Sequence, residues 1–348
     1  MRQFRALLAL CLSAWLSTTA TVQAQLTCDA PLATPLGVSQ TATLLSFPAL
    51  QVNVPCQGGL TIHHAVYHSF TAPQDGWYSF HVVPTASPAW TPFMAVLASC
   101  ASPHPEIVGF DTVLQPLCAT GDYSGRMVCS ASVRIPAGAT RILAIGGQSA
   151  NDTGSADLHV AYIGQTLMEG AQPLSVGSNT FSVAPLQPTL PYGGVCGWWS
   201  HDRASNASRF SFTPKVAGTY RFGFCGTVLH QTAVSTSADF EAPMLATGNG
   251  GCSGNGGRIT VTLEAGTTYY IAAGGGSGYD ACFTRTATVE YIDPCPGDLN
   301  DSGDVDAADL SLLLTGWGTA DADITGDGVA DGVDLAILIA MWGACPEG

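Results

Sequence analysis

Two stretches of this sequence concentrate oxygen donors at a spacing that suits a hard cation. Counting from Asp298 as position 1, position 3 is Asn300, position 5 Ser302, position 6 Gly303, position 7 Asp304, position 9 Asp306 and position 12 Asp309. Counting from Asp323, the same positions hold Thr325, Asp327, Gly328, Val329, Asp331 and Asp334. A calcium loop of the EF-hand type takes oxygen at positions 1, 3, 5, 9 and 12 and a main-chain carbonyl at 7. It needs glycine at 6 for its sharp turn. Both stretches meet all of these requirements, with Asp304 and Val329 offering their carbonyls. The expected ligands are two Ca2+ ions. A merely acidic, solvated loop would account for the aspartates but not for the glycines or the repetition.

Each loop runs straight into an apolar segment. Leu310, Leu313, Leu314 and Trp317 fall at i, i+3, i+4 and i+7, and Leu335, Leu338, Ile339 and Trp342 repeat that spacing. Each set predicts the apolar stripe of a short helix, stopped by Gly318 or Gly343. Without calcium the carboxylates repel one another; with it, the loops fold and the stripes pack together. Pro294 and Pro296 forbid a helix ahead of the first loop. This loop–helix, linker, loop–helix order over residues 297–343 resembles a type I dockerin, including aspartate at position 12. The resemblance implies calcium-dependent docking onto a cohesin-like module or another surface or scaffold protein. One departure bears on the partner. Cellulosomal dockerins often carry a hydroxyl pair at positions 10 and 11, where this chain has Ala307–Ala308 and Gly332–Val333. Cys295 and Cys345 lie just outside the paired units and are expected to form a disulfide.

The remainder must position or present this module. Residues 28–292 carry almost no helical periodicity; short runs of Val, Ile, Thr, Tyr and Phe alternate with Gly and Pro, which reads as strands and turns. A repeat runs through them. Tyr67–Phe80 (YHSFTAPQDGWYSF) matches Arg209–Phe222 (RFSFTPKVAGTYRF), and "IPAGATRILAIGG" from Ile135 matches "LEAGTTYYIAAGG" from Leu263. The two copies close on Tyr162–Ile163 and Tyr291–Ile292. Phe70, Tyr78 and Phe80 should be buried, as should Phe212, Tyr220 and Phe222. These motifs resemble the bacterial pre-peptidase C-terminal domain and related jelly-roll modules, which implies non-catalytic appendages of exported proteins. The fold class expected is mainly β: two antiparallel β-sandwich, jelly-roll-like domains followed by a small α-helical dockerin-like domain with paired EF-hand-type loops. The expected boundaries are a signal peptide at 1–24, sandwiches at 25–163 and 173–292 joined by a linker at 164–172, and the calcium module at 293–348.

Composition narrows the function. The net charge is −15 with 11% charged residues, and Lys215 is the single lysine; nucleic-acid binding needs basic patches to meet phosphates, and none is present. Arg2 and Arg5, the apolar "ALLALCLSAWL" and the small residues at Val22–Ala24 read as a secretory signal, implying a secreted, extracellular or cell-surface protein. No stretch of the mature chain is long and apolar enough to span a membrane. Its eleven cysteines then read as disulfide formers, and none forms a CxxC pair. Within the sandwiches, His63, His64 and His68 are close enough in sequence to bind a metal, but ordinary strand surface is the favoured reading, and His63 should face away from the other two on a strand. Trp198–Asp202 sets Ser, His and Asp side by side, an order that cannot converge as a triad on an extended chain, while its tryptophan pair offers a surface for sugar rings. Asp111, Asp122, Glu241 and Glu264 sit in no glycosidase motif, and GxSxG, HExxH and phosphate loops are absent. The sequence favours a secreted, non-catalytic binding or attachment protein. Its alternatives are a carbohydrate-active protein that binds or degrades polysaccharide, with a glycan as ligand, and a hydrolase whose site follows no recognised motif.

Overall fold

The computed structural model describes residues 27–43, 47–54, 58–85, 90–100, 107–111, 115–117, 126–182, 186–187, 190–191, 203–225, 230–240, 244–250, 258–275, 284–300 and 302–345. The segment 1–24, Trp198–Asp202, Asp122 and Glu241 lie outside them. The described chain is mainly β, with α1 (Ala307–Thr315) and α2 (Gly332–Ala340) near its C-terminus.

Two sheets enclose the first core. One runs in the order Leu32–Ala33, Gly58–Thr71, Thr140–Gly147, Pro92–Leu97, Ile107–Asp111, with Leu50–Val54 also paired to Gly58–Thr71. The other runs Gly37–Thr43, Gly154–Gly164, Gly76–Pro84, Arg126–Ile135, Gln115–Leu117. Alternation decides what faces inward. Val66 and Phe70 from the first sheet meet Tyr78, Phe80, Val82, Leu158 and Val160 from the second in one buried cluster. Pro92–Leu97 is apolar throughout because both of its faces are covered: Met94 and Val96 enter that cluster, and Phe93, Ala95 and Leu97 a second one with Val52, Ile62 and Tyr67. Each large side chain so buried contributes roughly 1.5–3 kcal/mol.

The strand order recurs downstream. A third sheet runs Gln172–Pro173, Arg203–Phe212, Tyr269–Gly275, His230–Ser235, Ala246–Gly250, and a fourth Gly177–Ser182, Thr284–Ile292, Gly218–Cys225, Arg258–Leu263. Strand for strand these follow the first pair, except that the fourth sheet has no counterpart of Gln115–Leu117 among the described residues. Phe70, Tyr78, Phe80, Phe212, Tyr220 and Phe222 are all buried, as the repeat requires. One local device appears twice. Tyr78 donates its hydroxyl to the Gln74 carbonyl at 2.7 Å and Tyr220 to that of Val216 at 2.8 Å. The Tyr78–Tyr162 and Tyr220–Tyr291 rings each lie 5.2 Å apart. Beneath the closing tyrosines sit Gly76 and Gly218, with φ of +143° and +149°.

The histidines first suspected of metal binding separate. The pairing of Ile145 with Val66 and of Gly147 with His63 leaves a bulge between them, and His64 there takes a left-handed φ of +56°. The extra residue breaks the simple alternation expected for His64 and His68. The His64 ring meets the carbonyls of Phe47 and Ala150 at 3.2 and 2.8 Å. His68 is fully buried, held at 2.9 Å by the hydroxyls of both Thr34 and Thr41. Burial pushes its pKa down to about 4. The two rings share no partner, and no group of three or more His, Cys, Asp or Glu is gathered among the described residues.

Residues 164–172 pack against their surroundings. Asp239 Oδ1 accepts from the Trp77 indole and from Leu167 N–H, each at 2.9 Å, and Arg209 donates to the carbonyls of Leu167 and Glu169 at 3.0 and 2.8 Å. Trp77, Leu167, Met168 and Phe240 bury one another. Contacts divide the chain into two compact units: residues 1–212 with 223–259 and 268–288, and residues 213–222 with 260–267 and 289–348. Among the described residues no helix is long and apolar enough to cross a membrane.

A Cβ at Gly76 would stand 2.5 Å from the Gly164 carbonyl and 2.6 Å from the Tyr162 ring, and one at Gly218 would stand 2.8 Å from the Tyr291 ring. Both positions also have φ values that L-residues avoid. Gly76→Ala and Gly218→Ala should each cost about 2 kcal/mol or more, read as a lower melting temperature. Gly138→Ala, whose Cβ would meet open space although its φ is +75°, should cost less; equal losses at all three sites would refute the packing role.

Candidate metal centre

Both acidic loops close on themselves through carboxylates that accept from their own backbone. In the first loop, Asp298 Oδ1 accepts from Ser302 N–H at 2.9 Å and Oδ2 from Gly303 N–H at 2.7 Å. Asp309, at the far end, accepts from Asn300 N–H at 3.2 Å and from Asp306 N–H at 2.8 Å. In the second loop, Asp323 accepts from the N–H groups of Gly326 and Gly328 at 2.7 and 2.5 Å and from the Thr325 hydroxyl at 3.0 Å. Asp334 Oδ1 accepts from Ile324 and Thr325 N–H, both at 2.9 Å, and Oδ2 from Asp331 N–H at 2.7 Å. Position 6 turns as the spacing required: Gly303 has φ +91° and Gly328 +97°.

The position 9 and 12 aspartates also start the helices. Asp306 caps α1 through Ala308 N–H at 2.7 Å, and Asp331 caps α2 through Val333 N–H at 2.7 Å. With Asp309 and Asp334 reaching back, each end is a reciprocal capping box. The spacing Asp-x-x-Asp ahead of an apolar run is the local sequence signal of this capping.

The two units interlock. Val305, position 8 of the first loop, pairs with Gly343 beyond α2. Ala330, position 8 of the second loop, exchanges hydrogen bonds with Gly318 and Thr319 beyond α1 at 2.9 and 2.7 Å. Their shared core places Val305 with Ala330 and Leu313 with Leu338, flanked by Leu299, Ile324, Leu310 and Leu335. The Cys295–Cys345 disulfide is present, with a sequence separation of 50. In the chain-entropy account a loop of that size contributes roughly 4 kcal/mol.

The apolar stripes are only half used. α1 ends at Thr315 and α2 at Ala340, before the glycines expected to stop them, so Trp317 and Trp342 lie beyond the helices. Leu313 and Leu338 are fully buried, but Leu314 is 56% exposed, Trp317 45%, Ile339 56% and Trp342 51%.

Several features of the two loops bear on cation binding. Asp309 and Asp334 are wholly buried, and no lysine, arginine or histidine occurs between Asp293 and Gly348 to neutralise them. A carboxylate bonded to one or two N–H groups keeps further lone pairs. Neighbouring candidate oxygens already approach one another: Ser302 Oγ lies 3.0 Å from the Asp304 carbonyl, and Thr325 Oγ1 3.0 Å from Asp323 Oδ1. Among the described residues no group of three or more His, Cys, Asp or Glu is gathered around a metal position. The Asp304 carbonyl accepts from the Ser302 hydroxyl, and Asp327 turns its carboxylate onto Val329 N–H at 3.0 Å.

No family model matches the chain, and no curated protein matches it. Among solved structures it is similar to the CUB1-EGF-CUB2 domains of rat MASP-1, at 10% identity over 74% of this chain and 99% of that one, with a TM-score of 0.20. It is similar to a Paenibacillus xanthan lyase at 12% identity over 76% of this chain and 27% of that one, TM-score 0.21. It is similar also to tandem CBM51 modules of a family 98 glycoside hydrolase from Streptococcus pneumoniae, at 8% identity over 72% and 90%, TM-score 0.19. Likenesses this slight carry no argument about the fold or the function.

Hydrogen bonding sets the acid response. Partial burial pushes the Asp298 carboxyl up, but the N–H groups of Gly303, Ser302 and Asn300 and the Ser302 hydroxyl outweigh it and hold the pKa low. Asp323 is lowered chiefly by Gly328 N–H, against partial burial, with help from Gly326, Thr325 and Asp327. Asp334 is lowered chiefly by Asp331 N–H, against the upward push of desolvation, with help from Thr325 and Ile324. A depressed carboxylate stabilises the fold above its unfolded value of about 4 and loses that contribution as pH falls through the folded value. The fluorescence of Trp317 and Trp342 (in a chain whose other tryptophans are replaced by Phe) should report a module steady from pH 7 to about 5 and loosening below about 4. A module equally stable at pH 2 and pH 7 would contradict the assignment.

Proposed function

We propose that this chain is an exported, non-catalytic attachment protein whose residues 293–348 form a dockerin-like module that binds two calcium ions and docks onto a cohesin-like or other surface or scaffold protein. The observation that carries the reading is the duplicated loop–helix unit, in which each loop pairs its position 8 with the chain beyond the other unit's helix. Asp298, Asn300, Ser302, the Asp304 carbonyl, Asp306 and Asp309 would hold one ion. Asp323, Thr325, Asp327, the Val329 carbonyl, Asp331 and Asp334 would hold the other. Calcium supplies two positive charges per loop to a segment with twelve carboxylates and no basic residue. The protein's own groups order the loops beforehand by binding their carboxylates to backbone N–H.

Two jelly-roll-like sandwiches precede the module in this reading and act as its cargo or spacer. The docking face is the outer side of the two helices. It holds Leu314, Ile339 and Val333 in the open, with Trp317 and Trp342 just beyond the helix ends. Positions 10 and 11 offer Ala307, Ala308, Gly332 and Val333, which have no side-chain hydrogen bonds to give. Recognition there rests on apolar contact and shape. The near two-fold relation of the units lets either helix meet the partner. No described residue specifically favours the carbohydrate-active or hydrolase alternatives.

Circular dichroism of residues 293–348 should show helix rising on calcium addition and falling in chelator, because metal binding free energy is also folding free energy here. Asp309→Ala and Asp334→Ala should each remove one of two sites in a calorimetric titration with calcium. The double variant Ala308→Asp, Val333→Asp should abolish calcium-dependent capture of secreted and envelope proteins while calcium affinity stays within about twofold, since neither side chain lies at a ligand position. Equal helix with and without calcium would sink the metal reading; capture that survives both the double variant and chelator would sink the docking reading.

A further inference from the structure

We propose that His81 and His159 together bind a divalent transition-metal ion of the zinc class on the first sandwich, at a site separate from the acidic loops and independent of the docking reading. The two residues are direct partners in the antiparallel pairing of Gly76–Pro84 with Gly154–Gly164. Tyr78, Phe80, Val82, Leu158 and Val160 fill the core between the sheets. Alternation therefore puts His81 and His159 on the opposite face of the same sheet. Directly opposed residues hold their Cβ atoms about 4.5–5.5 Å apart, close enough for two imidazoles to meet one ion.

The rings are unfinished in the same way. His81 Nε2 and His159 Nε2 are both buried, and neither has a hydrogen-bond partner. Leaving one such atom unpaired costs about 1–3 kcal/mol. Two of them, side by side on one face, point to a shared partner. The Ser132 hydroxyl is a third buried, unpartnered polar atom. It pairs in register with Ser79, two residues from His81 on the same face, so the surroundings are polar enough to hold water. Other histidines do not share this pattern: His68 has both ring nitrogens satisfied by Thr34 and Thr41.

Chemistry selects the ion. Imidazole nitrogen suits zinc, copper and nickel, whereas calcium takes oxygen. A ligating imidazole binds as the neutral ring. Burial, aided by His159, pushes the pKa of His81 down to about 3. Burial also lowers His159, with Asp157 pulling the other way. Asp157 lies two residues before His159 on the same face and brings a negative charge to offset the ion. It is not a third ligand, because no group of three His, Cys, Asp or Glu is gathered among the described residues. Water completes the coordination.

The test uses the full chain without a histidine tag, saturated with calcium chloride so that the acidic loops do not take the probe, and titrated calorimetrically with zinc chloride. One zinc ion per chain is expected. His159→Gln should weaken binding by more than about tenfold, the scale of losing a group that orients or completes a metal site, and His63→Gln should leave it unchanged. His81→Gln should act like His159→Gln. If that buried substitution prevents folding, His159→Gln, whose ring is partly exposed, decides the matter once its far-UV spectrum matches the native one. No zinc uptake by the native chain, or uptake undiminished in a folded His159→Gln, overturns the proposal.

Discussion

A carboxylate turned back onto backbone N–H groups is the interaction on which the C-terminal module is built. Residues 293–348 contain twelve acidic side chains and no basic one, so ordinary ion pairing is not open to them. Asp298 and Asp323 instead gather the N–H groups of the turns that follow them, and Asp309 and Asp334 tie each helix start to the head of its own loop. Charge-assisted hydrogen bonds of this kind are roughly twice as strong as neutral ones. They fix the loops' shape but do not remove their charge. The wholly buried carboxylates of Asp309 and Asp334 thus combine good hydrogen bonding with an uncompensated negative charge, the state in which a bound cation stabilises most.

The cross-pairing of the loops explains why the motif comes as a pair. Val305 meets the chain beyond α2, and Ala330 meets the chain beyond α1. One unit alone would leave its position 8 backbone groups unpaired and its leucine, Leu313 or Leu338, without a partner. Helices of nine residues are too short to stand by themselves in water. Capping, a shared core and the disulfide supply what length does not.

Much of this was legible in the sequence, and the reasons are local. Glycine at position 6 reports a backbone angle, and Gly303 and Gly328 have it. The aromatic spacing in the two β repeats reports strand alternation, and Tyr78 and Tyr220 occupy equivalent places down to the carbonyl each binds. The period-two count put His64 and His68 on one face; a bulge is one inserted residue, invisible to that count, and it separates the two. The full stripe Leu310–Trp317 was misjudged because helix periodicity cannot tell where a helix stops, and both helices end before their tryptophans. The pairing of His81 with His159 depends on register between strands distant in sequence, which no local pattern encodes.

Exposure then separates what the module needs from what it leaves over. Each loop–helix unit sends one leucine wholly inward, Leu313 or Leu338, and a four-residue stripe was not required to bury that much. Leu314, Ile339, Trp317 and Trp342 remain in the open at equivalent places in the two units. Scattered single apolar residues on a surface need no explanation. Here the same two residue classes recur 25 positions apart, aliphatic on the helix and tryptophan just beyond it, inside a segment that is otherwise acidic. A second copy of the module would bring like charge against like charge, which is destabilising.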